Sequence, residues 1–86
     1  TLIDVREMDE YEICHLEQAK LIPLRQLPKH LNEMDKNQLT ILYCHHGIRS
    51  AQAVRWLNQN GFDNVANLRG GIDEWAQKIE PEMERY

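Results

Sequence analysis

Thr40-Ile41-Leu42-Tyr43-Cys44-His45-His46-Gly47-Ile48-Arg49-Ser50 is the stretch on which the fold turns. Its first four residues form a continuous apolar run, the pattern of a strand buried on both faces in a parallel sheet. The run ends at Cys44, and Ser50 opens a segment in which Ala53, Val54 and Leu57 share one helical face. That helix has a definite stop. With Gly61 as the left-handed residue beyond its end, Leu57 and Phe62 are the pair that makes the hydrophobic contact of a Schellman cap. A buried strand leading through a short polar loop into an amphipathic helix is half of a β-α-β unit.

Working outward, the same alternation recurs on both sides. Leu2 to Val5 reads as a short buried strand, followed by Met8, Tyr11 and Cys14 at every third residue behind an acidic first turn of Glu7, Asp9 and Glu10. This predicts a helix with Cys14 on its core face. Leu21 and Ile22 form a strand stopped by Pro23, and Leu24, Leu27, Leu31 and Met34 predict a second amphipathic helix, broken at Pro28. Asp35 to Gln38 is a polar turn. Downstream, Val65 to Leu68 reads as a fourth strand, Gly70 and Gly71 as a turn, and Ile72, Trp75, Ala76 and Ile79 as the apolar face of a last helix limited by Pro81. The order β-α-β-α-β-α-β-α, without internal repeat or linker, predicts an α/β fold with a mostly parallel sheet and helices on its faces.

The chain has 86 residues, which means one domain, and Leu, Ile, Val and Phe make up about a quarter of it, above the floor of roughly 20% for a globular chain. Ten Lys and Arg against fourteen Asp and Glu give a net charge of −4, with no long basic cluster to track a nucleic-acid duplex. No apolar run approaches the roughly 18 residues of a membrane span, and the N-terminus lacks a signal-peptide layout. Two cysteines, Cys14 and Cys44, do not make a secreted disulfide scaffold. A cytoplasmic domain with reduced thiols is therefore expected. Because the chain opens with Thr1 inside a strand, a fragment of something longer is also expected.

In open parallel sheets, ligands sit beyond the carboxyl ends of the strands, which directs attention to whatever follows Tyr43. A loop from strand to helix can curl so that successive N–H groups point inward, and the helix dipole adds positive potential at the same place. A free thiol with a pKa near 8.5 is brought down to about 3.5–7.5 by such surroundings. His45, His46 and Arg49 add to the positive field, and Gly47 permits a conformation that a side chain would obstruct. Cys44 is thus the candidate nucleophile, with its product anion in a ring of amides. Cys14 reads as a core residue, His15 as a structural hydrogen-bonding group, Trp56 and Trp75 as packing residues, and Arg55, Arg69 and the acidic tail as solvated charges. Adjacent Cys44, His45 and His46 do not converge easily on one tetrahedral ion, so no metal is expected.

Four stretches in order carry a resemblance to the rhodanese family of sulfurtransferases, over nearly the whole chain. Leu2-Ile3-Asp4-Val5-Arg6 with Glu10-Tyr11-Glu12 matches the opening "LIDVRE…EY", and His15, Ala19 and Ile22-Pro23-Leu24 sit where "GHI.GA.NIPL" is expected. Tyr43 through Ser50 resembles the "YCxxGxRS" active loop, and Leu68-Arg69-Gly70-Gly71-Ile72 with Trp75 resembles "L.GGI..W". The resemblance implies a rhodanese-like three-layer fold over residues 1–86, with a mostly parallel sheet of about four to five strands and helices on both faces. It implies a persulfide on Cys44, formed when the thiolate takes the outer sulfur of thiosulfate or of a protein persulfide and passes it to a nucleophilic acceptor, with no cofactor. His45, His46, Gly47, Ile48 and Arg49 would bind the substrate through their backbone, with Arg49 and the histidines tuning donor choice, and Asp4 and Arg6 would be structural.

The chain departs from the family pattern in three places. Cys14 replaces the usual Gly before His15, Gln18 stands where a second Gly is common, and the family's N-terminal strand and helix before Leu2 have no counterpart, as in a trimmed or minimal domain. Ile79 to Tyr86 resembles the C-terminus of rhodanese domains fused to adenylyltransferases, which implies fusion to, or work alongside, such an enzyme. Two rival functions remain: a non-catalytic interaction module, and a loop-cysteine phosphatase or arsenate reductase. The latter resemble one another in a Cys-x5-Arg loop sized for a tetrahedral oxyanion, whereas Cys44 and Arg49 make Cys-x4-Arg.

Overall fold

The apolar run forms strand β3 (Thr40–Tyr43), and its alternation assigns the two faces of the sheet. The computed structural model describes residues 1–80, 82 and 83, so part of the tail whose form resembles adenylyltransferase fusions lies outside the described residues. Strand β1 (Leu2–Asp4) pairs with β3 so that Ile3 faces Leu42, strand β2 (Lys20–Leu21) adds to the far side of β1, and strand β4 (Val65–Asn67) adds to the far side of β3. All pairings are parallel, giving a four-stranded sheet in the order β2-β1-β3-β4. The strand order reverses between β1 and β3, so the crevice of this sheet opens beyond Asp4 and Tyr43.

Among the described residues four helices cover the sheet: α1 (Met8–Ile13), α2 (Leu27–His30), α3 (Ile48–Gln59) and α4 (Gly71–Lys78). Ile3, Val5 and Leu42 form one core with Leu27, Ala53, Leu57 and Phe62, while Tyr43 forms a second with Cys14, Leu16, Ala19 and Ile72. Helices thus lie on both faces, as the alternation of elements predicts. Leu57 is fully buried, and truncating a buried leucine costs about 2–5 kcal/mol. The cap of α3 is the one read from the sequence: Gly61 has φ 89°, and the Phe62 N–H donates to Leu57 O at 2.9 Å.

Four local expectations are corrected. Helix α3 begins at Ile48, capped by Gly47 at φ 97°, two residues before Ser50. Residues 24–34 are three short pieces, a 3-10 turn at Leu24–Gln26, α2, and a second 3-10 turn at Leu31–Glu33, because Pro28 fits the first turn of α2 but denies a longer helix its ladder. The apolar face is nonetheless as read, since Leu24, Leu31 and Met34 pack against the core containing Leu27. Cys14 is buried, yet not on a helical face. It follows the end of α1 in extended conformation while Met8 is 57% exposed, and its carbonyl accepts a 2.6 Å hydrogen bond from the Arg6 guanidinium. Ile79 lies past the end of α4 and is exposed.

The two departures upstream of β2 have a physical reading. Extended backbone at position 14 suits any residue, so Cys14 takes the place of a glycine without strain. Gln18 adopts φ 68° itself, at a cost of about 1 kcal/mol that a glycine would not bear. Asp4 and Arg6 are both fully buried and form a bidentate pair, with Nε to Oδ1 at 3.0 Å and Nη2 to Oδ2 at 2.7 Å. Through the Cys14 carbonyl this pair ties the end of α1 to β1, a structural task. Among the described residues no helix is long and apolar enough to cross a membrane.

Candidate active site

Cys44 leaves the end of β3 and is 1% exposed, with its sulfur turned toward the start of α3. The N–H of Gly47 lies 3.1 Å from Sγ, the N–H of Ser50 3.4 Å, and the Ser50 hydroxyl 3.4 Å. Burial alone pushes the thiol up. The Ser50 hydroxyl and the backbone N–H groups of Ser50, Gly47 and Arg49 outweigh it, and the net position is below the usual thiol range. These donors exist because the first turn of a helix has no internal acceptors for its N–H groups, and because Gly47 supplies the left-handed turn that aims them back at the strand end.

The other side of the loop is held by the second helix start. The carbonyls of Cys44 and His45 accept from Ile72 N–H at 2.9 Å and Asp73 N–H at 3.0 Å. Gly71 makes this approach possible: at φ 64°, a Cβ would lie 2.3 Å from both the Cys44 and His45 carbonyl oxygens. Asn67, at the end of β4, donates through Nδ2 to Gly47 O at 3.2 Å and offers Oδ1 to the Ser50 hydroxyl. That hydroxyl has one proton for two acceptors, Asn67 Oδ1 and Sγ, so ionisation of the thiol draws the proton toward sulfur.

Arg49 does not present a free guanidinium. Its Nη1 and Nη2 donate to Glu10 Oε1 and Oε2 at 2.7 and 2.8 Å, and Glu10 also accepts the Glu7 N–H at 3.0 Å in the capping box of α1. Hydrogen bonding to Arg49 is the main cause that holds the Glu10 carboxyl at about 2, and the same pair raises Arg49. Ile48 is 71% exposed and His46 is exposed, so neither side chain walls the sulfur. His45 and His46 rings meet edge to face at 4.0 Å, and His45, His46 and Asp73 bring one potential ligand atom each within 4.8 Å of one another. This is the set among the described residues whose donor types could hold a metal ion. His15 donates through Nδ1–H to Tyr11 O at 2.9 Å and stacks on the Tyr11 ring, a structural placement.

The loop residues named from the sequence, 44 to 49, therefore gather as one turn, but the donors to sulfur come from Gly47, Arg49 and Ser50 rather than from every residue of the ring. Four further residues contribute to the site, and local spacing does not assign them to it. Ser50 was visible as the last letter of the loop motif, and Gly71 as the second glycine before Ile72. Glu10 and Asn67 reach the loop from 39 and 17–20 residues away, contacts that no local spacing reports.

Comparison with known proteins agrees with this architecture. The family model of the rhodanese-like domain matches residues 1–78, and the chain belongs to this family. It is similar to a crystal structure of a rhodanese-like domain protein from Staphylococcus aureus, at 38% identity and TM-score 0.81 over 86% of this chain and 72% of that one. A rhodanese-related protein of Thermoplasma volcanium superposes with TM-score 0.85 at 32% identity, over 94% of this chain and 80% of that one. Among curated relatives are a probable adenylyltransferase/sulfurtransferase, MoeZ, of Mycobacterium tuberculosis, 38% identical over 99% of this chain, and a putative sulfur carrier protein, YrkF, of Bacillus subtilis, 38% identical over 92%. The chain spans 22% and 43% of those two proteins.

Proposed function

We propose that this domain is a rhodanese-type sulfurtransferase in which Cys44 carries the sulfur as a persulfide. The observation that supports it best is the ring of donors on one buried thiol, from Gly47, Ser50 and Arg49, at the start of α3. The thiolate attacks the sulfane sulfur of the donor, forming an Sγ–S bond while the donor's S–S bond breaks and its electron pair leaves with sulfite, or with a thiolate when the donor is a persulfide. The charge on the new terminal sulfur lies among N–H groups already aimed at it, which need no reorganisation as charge moves. An acceptor nucleophile such as cyanide then takes that sulfur, and the Sγ–S bond electrons return to Cys44 as thiolate. Because Cys44 is 1% exposed, the ring favours donors that offer sulfur as a small terminal atom.

A phosphatase reading has less support, because phosphoryl transfer needs a cationic clamp on the oxyanion and Arg49 is engaged by Glu10. The relative named adenylyltransferase/sulfurtransferase and the relative named sulfur carrier favour a partner in a sulfur relay, with a persulfide protein as donor and an adenylyltransferase within reach. The test is intact-mass spectrometry after exposure to excess thiosulfate or a small alkyl persulfide. A one-sulfur adduct is expected that cyanide removes and that Cys44→Ser abolishes while Cys14→Ser retains it. Absence of any adduct on folded protein would favour an interaction module instead.

A further inference from the structure

Arg49 is the one cation of the loop that carries a full charge at neutral pH without depending on a titration near it, and it is the side chain expected to attract an anionic donor. The structure gives it another partner. Both terminal nitrogens face the two oxygens of Glu10, a fork-to-fork arrangement that cancels the unit charge locally. The pair is carried on the first turn of α3, Arg49 standing one residue before Ser50, whose N–H and hydroxyl each lie 3.4 Å from Sγ. Of the other charged side chains near the loop, Arg69 is exposed to solvent in the turn before α4, while Asp73 and Arg6 are engaged. Asp73 on α4 lies beside His46, with Oδ2 3.8 Å from Nδ1, and its Oδ2 accepts from Gln77 at 3.0 Å. Arg6, on the β1 side, is committed to Asp4.

We propose that Glu10 determines donor specificity: by clasping Arg49 it strips net positive charge from the rim of the Cys44 ring, favouring singly charged terminal persulfides over the thiosulfate dianion. The inference rests on the sulfur-transfer reading and sharpens it to a donor class. What the ring then recognises is the terminal sulfur itself, through backbone N–H groups, rather than a sulfonate head that would need a cation. Sulfur loading from such a persulfide is balanced: the Cys44 thiolate forms the Sγ–S bond, the donor's S–S bond breaks, and the donor leaves as its thiolate. Glu10 does not touch the reacting atoms; it acts through Arg49.

The experiment compares rates of sulfur loading on Cys44, read by intact mass, from thiosulfate and from 2-hydroxyethyl persulfide, in wild type, Glu10→Gln, Arg49→Gln and the double variant. Glutamine keeps an oxygen for the Glu7 N–H, so the capping box survives the first substitution. Glu10→Gln is expected to load from thiosulfate about tenfold faster with a lower KM, and from the monoanionic persulfide only a few-fold faster. Arg49→Gln, which leaves Glu10 uncompensated, is expected to shift thiosulfate the other way by a similar factor, and the double variant to return near wild type. All these differences should shrink as ionic strength rises. Slower loading from both donors in both single variants would show a purely structural clasp and overturn the inference while leaving the sulfur-transfer reading in place. If neither donor labels folded wild-type protein, that reading falls and this inference with it.

Discussion

Two helices begin against the same loop, each behind a left-handed glycine, Gly47 at φ 97° for α3 and Gly70 at φ 80° for α4, and neither has a side-chain cap. Both therefore expose unsatisfied N–H groups. At α3 those groups meet a sulfur that is able to carry charge, so they lower the thiol pKa. At α4 they meet the Cys44 and His45 carbonyls, so they fix geometry. The same physical resource, the first turn of a helix, faces a thiol sulfur in one place and in the other satisfies carbonyls whose loss of a partner would cost about 1–3 kcal/mol each. The difference lies in what the loop offers to each helix, a sulfur to α3 and two backbone carbonyls to α4.

The comparison breaks most completely at Gly71. Gly71→Ala places a methyl group against both loop carbonyls at a left-handed position, and a loss of about 3 kcal/mol or more is expected, seen as a fall in Tm of more than about 10 °C. Any variant protein that remains folded should show the Cys44 thiol titrating higher than in wild type, because the outer anchor no longer aims the inner donors. An unchanged Tm would mean that α4 does not brace the loop.

Ser50→Ala sharpens the other side. It removes one donor to sulfur and leaves the backbone ring intact, so the thiol should move up and sulfur loading at neutral pH should slow by about three- to tenfold, with little change in Tm. A titration identical to that of wild type would assign the hydroxyl wholly to Asn67. The mildest expected effect concerns the clasp beneath α3. Glu10 sits at about 2 in the folded chain against 4.5 for a free carboxyl, so its contribution is full above pH 4.5 and is lost as pH falls from there toward 2. Acid unfolding of wild type should therefore lose about 1–2 kcal/mol across that window that Glu10→Gln does not lose, a figure reduced because Arg49 is partly exposed. Equal acid sensitivity in the two proteins would contradict the pairing.

Much of this was legible in the chain because it is local. The run Thr40 to Tyr43, the Gly61 and Phe62 cap, and Cys44 at a strand end are each set by neighbours a few residues apart. Where the structure differs from the local pattern, a longer-range force decides. Cys14 is buried because Arg6, held by Asp4, pulls on its carbonyl, not because of a three-residue period. The segment of residues 24–34 keeps its apolar face but not its continuity, since packing fixes the face and Pro28 forbids the ladder. In the site, Cys44 and its turn follow from motif and dipole, whereas the state of Arg49 was not legible: its partner Glu10 read as a favourable charge in the first turn of α1, and only the fold brings the two together.

The start of α3 lowers the Cys44 thiol pKa below its ordinary range despite burial. This lowering is tested most directly by the rate of Cys44 alkylation with iodoacetamide against pH, in a Cys14→Ser background so that one thiol reports. A midpoint clearly below the roughly 8.5 of a free thiol is expected. A midpoint at or above 8.5 would mean that burial outweighs the donors from Gly47, Arg49 and Ser50, and would contradict the account.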